Sequence, residues 1–143
     1  MPQELTANVK LINDKVKFSA CTKDNPAIIT DYTPPLGDNE GYTSLELFLI
    51  SLANCSGVAV ISLLRKMQRN ITDFRVMAKG YRKDEHPTCF SSVDLEFEVH
   101  SYDVQEGDLQ KAIKISEEQI CPVWAMIDKK VPIHAVGKII RTQ

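Results

Sequence analysis

The 143-residue sequence has no glycine-rich phosphate loop: its six glycines are scattered singly, which excludes a nucleotide cradle built on backbone N–H groups. No two cysteines stand at short spacing. Cys21, Cys55, Cys89 and Cys121 are isolated from one another, and His86, His100 and His134 lie apart as well, so no zinc-binding pattern is present. Positive charge is not in excess, with 17 Lys and Arg against 19 Asp and Glu, and no basic run is interleaved with aromatics. Nucleic acid is therefore not an expected partner. Arginine is missing from the whole N-terminal half as far as Arg65. The first ten residues lack the apolar core of a signal peptide, so a cytoplasmic location is expected, where four cysteines serve as thiols rather than as structural disulfides. No cofactor and no metal are expected.

What is present is an ordinary globular composition, 43% hydrophobic and 25% charged. It predicts a folded chain forming a single domain over residues 1–143. Thr6 to Leu11 and Val16 to Cys21 flank the turn-forming Asn13 and Asp14 as a β-hairpin, which Ala27 to Tyr32 extends to a meander. Pro34, Pro35, Gly37, Asp38, Asn39 and Gly41 then make residues 33–43 a loop.

From Ser44, taken as the helix cap, Leu45, Phe48, Leu49, Leu52, Ser56, Ala59, Val60, Leu63, Leu64 and Met67 recur at helical spacing. This helix is apolar nearly all round and nearly long enough to span a bilayer, but Glu46, Asn54 and its serines favour a buried central helix over a membrane segment. One sheet covers one side of such a helix, so its other side is expected to face a second subunit. The group Arg65, Lys66 and Arg69 reads as a solvated helix end.

Residues 72–82 and 89–102 read as strands. The second alternates Val93, Leu95, Phe97 and Val99 with Asp94, Glu96, Glu98 and His100. A shorter helix is predicted from Gly107 to about Gln119, a further helical piece from Pro122 to Lys129, and a terminal strand from Ile133 to Ile140. The fold class is α+β.

The thiols are left as the carriers of chemistry. Cys21 and Cys89 read as packed strand residues, whereas Cys55 lies within the long helix and Cys121 sits between a helix end and Pro122. A sulfur just before a proline-initiated helix gains from exposed N–H groups, while one in mid-helix gains little. Asn54 and Ser56 point to other faces of the helix than Cys55.

Ser44-Leu45-Glu46-Leu47-Phe48 followed by Leu52-Ala53-Asn54-Cys55 resembles the central-helix cysteine motif of the OsmC/Ohr superfamily. Ser116-Glu117-Glu118-Gln119-Ile120-Cys121-Pro122-Val123 is similar to its second cysteine segment, and the resemblance runs over most of the chain in the same order. It implies an intertwined homodimer with an N-terminal hairpin or meander, a long buried central helix, antiparallel strands and shorter C-terminal helices. It also implies thiol-dependent reduction of organic hydroperoxides in oxidative stress defence. Cys55 would be the attacking thiolate and Cys121 the resolving thiol, with Glu46 at the catalytic site and a dithiol as reductant. Leu45, Phe48, Leu52 and Trp124 are the residues expected to wall a substrate pocket.

Two departures separate this chain from the well-characterised peroxidase branches. They place a glutamate ten residues before the first cysteine, where Leu45 stands here and Glu46 comes one position later, as in a less characterised branch. They also hold the thiolate with an N-terminal arginine, for which Lys10, Lys15, Lys17 or Lys23 would substitute only as point charges. The alternative expectation is therefore a non-enzymatic module that binds an apolar or acyl-bearing small molecule in the dimer groove.

Overall fold

The computed structural model describes residues 3–127 and 129–143. The order of elements is β1 (Asn8–Leu11), β2 (Phe18–Cys21), β3 (Ile28–Thr30), α1 (Ser44–Lys66), β4 (Asp73–Arg82), β5 (Phe90–Ser101), α2 (Glu106–Ile115), a π-helical turn (Ser116–Ile120), α3 (Pro122–Met126) and β6 (Ile133–Arg141). Two compact units divide the chain between Leu47 and Phe48. The architecture is α+β, with one small sheet in each unit.

In the N-terminal unit β1, β2 and β3 form an antiparallel meander. Its first turn is set by Asn13, whose side-chain oxygen accepts the backbone N–H groups of Lys15 and Lys17, both at 3.0 Å. The loop over residues 33–43 is pinned by one carboxylate: buried Asp31 accepts the N–H groups of Tyr32 (2.7 Å), Asp38 (3.2 Å) and Glu40 (3.1 Å). The backbone closes so tightly here that a Cβ on Gly41 would stand 2.5 Å from the Ile29 carbonyl oxygen. Lys15 and Lys17 tie the hairpin to the same loop through ion pairs with Asp38 and Glu40, each at 2.6 Å. Among the described residues up to Leu47, only Asp31 and Gly37 are buried. Val9, Leu11, Ile28, Ile29 and Tyr42 are all exposed, so this sheet has no apolar core of its own.

Helix α1 starts one residue earlier than the Ser44 cap predicts. Thr43 is the cap, accepting Glu46 N–H on its hydroxyl (3.2 Å), while the Glu46 carboxylate accepts Thr43 N–H in return (2.8 Å). At the other end Gln68 takes a left-handed conformation (φ 60°), and Arg69 N–H reaches back to the Leu64 carbonyl at 3.1 Å, closing the helix as a Schellman turn does.

In the C-terminal unit the sheet order is β4-β5-β6, with β4 antiparallel to β5 but β6 parallel to it. The expected antiparallel strands are present in both sheets, and β6 adds a parallel one: the return from β5 to β6 runs through α2, the π-turn and α3, and such a crossover delivers a parallel strand. Register explains the core. Phe97 lies between Val76 and Gly137, and Leu95 between Ala78 and Ala135, so small edge residues make room for large central ones. A Cβ on Gly137 would meet Leu109 Cδ2 at 2.5 Å, which shows how closely α2 sits on β6. Leu52, Val60 and Leu64 of α1 are fully buried in this unit, as are Val93, Leu95, Phe97 and Val99 of β5. Burial of such a side chain contributes roughly 1.5–3 kcal/mol. Among the described residues α1 is the one helix long and apolar enough to cross a membrane, and 33% of its most apolar stretch is buried within the chain.

Burial alone would raise the Asp31 carboxyl, but the three N–H donors together outweigh it and hold the group below its ordinary value. Its stabilising contribution is therefore present above the ordinary Asp range and is lost as pH falls through the depressed folded value. We expect Asp31→Asn to melt below wild type at pH 7, with the gap narrowing as the pH is taken well below about 3.9. Paired thermal melts across that range check this, and a gap independent of pH would contradict it.

Candidate functional site

Cys55 sits midway along α1, half-buried, and Cys121 is 2% exposed at the junction between the π-turn and α3. The π-turn arises because Cys121 N–H returns to the Ser116 carbonyl at 2.9 Å, one residue further back than an α-helix would place it. Pro122 then begins α3, and the Cys121 sulfur caps it by accepting Trp124 N–H at 3.3 Å. Glu117 and Glu118 of the turn are exposed to solvent. The two cysteines lie near each other and line one cavity of ≈ 520 Å³.

Val58, Ala59, Leu63, Ile120, Pro122 and Val123 form the apolar wall of that cavity. Ser51, Asn54 and Ser62 add polar edges, and Lys66 is the charged residue among those lining it. Leu45, Phe48, Leu52 and Trp124, expected from sequence as the walls, are not among the lining residues. Leu52 and Trp124 are buried in the core, and Phe48 packs its ring against Phe90 at a centroid distance of 5.8 Å. Glu46 is committed to the helix cap described above. Nine positions along an α-helix amount to about two and a half turns, so its carboxylate leaves α1 on the side opposite to Cys55. Of the N-terminal lysines considered as thiolate partners, Lys15 and Lys17 are already engaged with Asp38 and Glu40.

Sequence reasoning set Ser56 aside because it turns away from Cys55. The structure shows where it turns: fully buried, its hydroxyl lies 3.6 Å from the Cys121 sulfur. A serine on the buried stripe of an apolar helix needs a polar partner, and that requirement was the available signal. Lys66 was also missed as a cavity residue, although eleven positions from Cys55 bring it back to nearly the same helix face.

Burial pushes the Cys55 thiol above its ordinary value. The Val123 backbone N–H opposes that shift, and the neighbouring Cys121 adds to it by hydrogen bonding and charge. Together these effects favour the protonated form of Cys55. Cys55 is the more accessible of the two sulfurs. With Cys21 and Cys89 replaced by serine, the pH profile of Cys55 alkylation by iodoacetamide should have its midpoint above about 8.5. Adding Cys121→Ser should move the midpoint down. A midpoint at or below the ordinary thiol value with Cys121 present would contradict this account.

A profile of the family described as OsmC-like protein matches residues 37–135. Protein YhfA of Escherichia coli (strain K12) is 30% identical over 89 residues, which are 62% of this chain and 66% of that protein, so the match spans just under two thirds of the relative's length. Among solved structures, a hypothetical protein from Aquifex aeolicus VF5 superposes with a TM-score of 0.87 at 24% identity, covering 99% of this chain and 100% of that one. An organic hydroperoxide resistance protein from Elizabethkingia anophelis superposes with a TM-score of 0.72 at 15% identity, covering 98% of this chain and 99% of that one. At these identities the two superpositions establish the fold. The family profile spans well over half of the sequence, and the chain belongs to the OsmC-like protein family.

Proposed function

We propose that this protein reduces organic hydroperoxides with Cys55 and Cys121 as its working thiol pair, inside the cell and at the expense of a dithiol. The observation that carries the reading is that the two thiols lie near each other at the apolar wall of one cavity. Members of the OsmC/Ohr families reduce organic hydroperoxides, which supports the same reading. In the proposed reaction the Cys55 thiolate attacks the distal oxygen of the peroxide, the O–O bond breaks, and the alcohol leaves with a proton. Cys55 becomes a sulfenic acid; the Cys121 sulfur then attacks it, water leaves, and the disulfide forms. The dithiol returns both sulfurs to the reduced state.

The raised Cys55 thiol needs help from a cation, and Lys66 is the cationic group that the cavity offers. That same raised thiol, with no guanidinium on the cavity wall, favours a second reading: a module that binds an apolar or acyl-bearing small molecule and does no chemistry. Mixing reduced protein with cumene hydroperoxide and counting free thiols separates the two. Rapid loss of two thiols per chain, abolished by Cys55→Ser, is expected of the peroxidase, whereas no loss over minutes would leave the binding module in its place.

The uncovered side of α1 supports a homodimer as the working form. Ile50, Ala53, Gly57, Val58, Ile61, Phe74 and Val76 line a second, largely apolar groove, with Ile50 48% and Val58 57% exposed. Proteins of this family are typically homodimers. Light scattering is expected to give about twice the 16.1 kDa of one chain. A monomer mass at micromolar concentration would refute this.

A further inference from the structure

The surroundings of the two sulfurs differ, and the difference gives a direction to the opening of the disulfide between them. Cys121 is 2% exposed, takes the Trp124 N–H at 3.3 Å and lies 3.6 Å from the hydroxyl of Ser56, itself fully buried. Cys55 is half-buried on the cavity wall and is the more accessible of the two sulfurs. Either group can donate across this contact between Ser56 and Cys121 while Cys121 is a thiol; once that sulfur carries charge the hydroxyl must donate, and such a bond is stronger than one to a neutral sulfur. Thiol–disulfide exchange is fastest when attack falls on the accessible sulfur and the better-stabilised thiolate departs.

We propose that Ser56 is a positioning residue that holds Cys121 as the leaving sulfur, so that an incoming thiol attacks Cys55 of the Cys55–Cys121 disulfide. This rests on the two-cysteine reading above. The reductant's thiolate forms a bond to Cys55 Sγ; the Sγ–Sγ bond breaks and its electron pair leaves on Cys121 Sγ. There the Ser56 O–H and the Trp124 N–H donate to the new anion. The second thiol of the dithiol, having given its proton to water, displaces Cys55 from the mixed disulfide and closes the reductant's own ring disulfide. Two electrons pass from the dithiol to the protein.

The test uses the full chain with Cys21→Ser and Cys89→Ser, its remaining pair oxidised by diamide so that the outcome does not depend on peroxidase activity. A brief pulse of 2-mercaptoethanol, quenching with iodoacetamide and peptide mass analysis then locate the adduct. The expected product carries mercaptoethanol on Cys55 and the carbamidomethyl group on Cys121; the reverse arrangement overturns the proposal, as does failure of diamide to join the two cysteines. Ser56→Ala should slow opening about tenfold, the order of one hydrogen bond to a charged group. Ser56→Thr, which keeps the hydroxyl, should restore the rate, and an unchanged rate in a folded Ser56→Ala would overturn the role given to Ser56. A disulfide that diamide forms but cumene hydroperoxide does not would instead count against the proposed function alone.

Discussion

A 23-residue helix that is apolar on nearly every side has to be covered on nearly every side, and the rest of the structure answers to that constraint. The β4-β5-β6 unit takes Leu52, Val60 and Leu64 into its core. The crossover after β5 passes the Cys121 segment along another face, where Cys55, Ala59 and Leu63 meet Ile120, Pro122 and Val123 across a cavity. A third face, with Ile50 and Val58, stays open in the single chain. The sulfur site is thus a by-product of how the helix is covered: it sits where one wrapping segment crosses the helix at mid-length.

The electrostatics of that crossing set the terms of the chemistry. Apolar surroundings hold Cys55 in its neutral form, so whatever activates it must arrive from outside its immediate shell. Lys66 lies at the end of the same helix face, and the N-terminal lysines at positions 15 and 17 are held by carboxylates of their own unit. The asymmetry between a half-buried Cys55 and an enclosed, doubly contacted Cys121 is the kind a two-step thiol cycle uses. One sulfur is met from the cavity, and the other receives charge.

Much of this was legible in the sequence because period is a local signal. The alternation of Val93, Leu95, Phe97 and Val99 matches the buried face of β5, and the helical spacing from Leu45 to Leu64 matches α1. Thr43 rather than Ser44 caps the helix because the reciprocal bond with Glu46 is worth more than a lone hydroxyl. The direction of β6 was not legible, since alternation is the same for parallel and antiparallel partners. Helix phase also gave a poor list of cavity walls. Leu52 stands three positions from Cys55, yet it is fully buried and off the cavity wall, and Ile120, Pro122 and Val123 come from a segment whose approach no local pattern encodes. Ser56 was visible as a serine in an apolar stripe, but its partner lay 65 residues away.

Everything functional in this account depends on Cys55 and Cys121 acting as one intrachain pair. Peptide mapping of the native protein after one equivalent of cumene hydroperoxide, without reductant, tests that most directly. The account predicts a single linked species joining the Cys55 and Cys121 peptides of the same chain, in near-stoichiometric yield. Recovery of both peptides unlinked, or of Cys55 oxidised to sulfinic acid with Cys121 free, would contradict it.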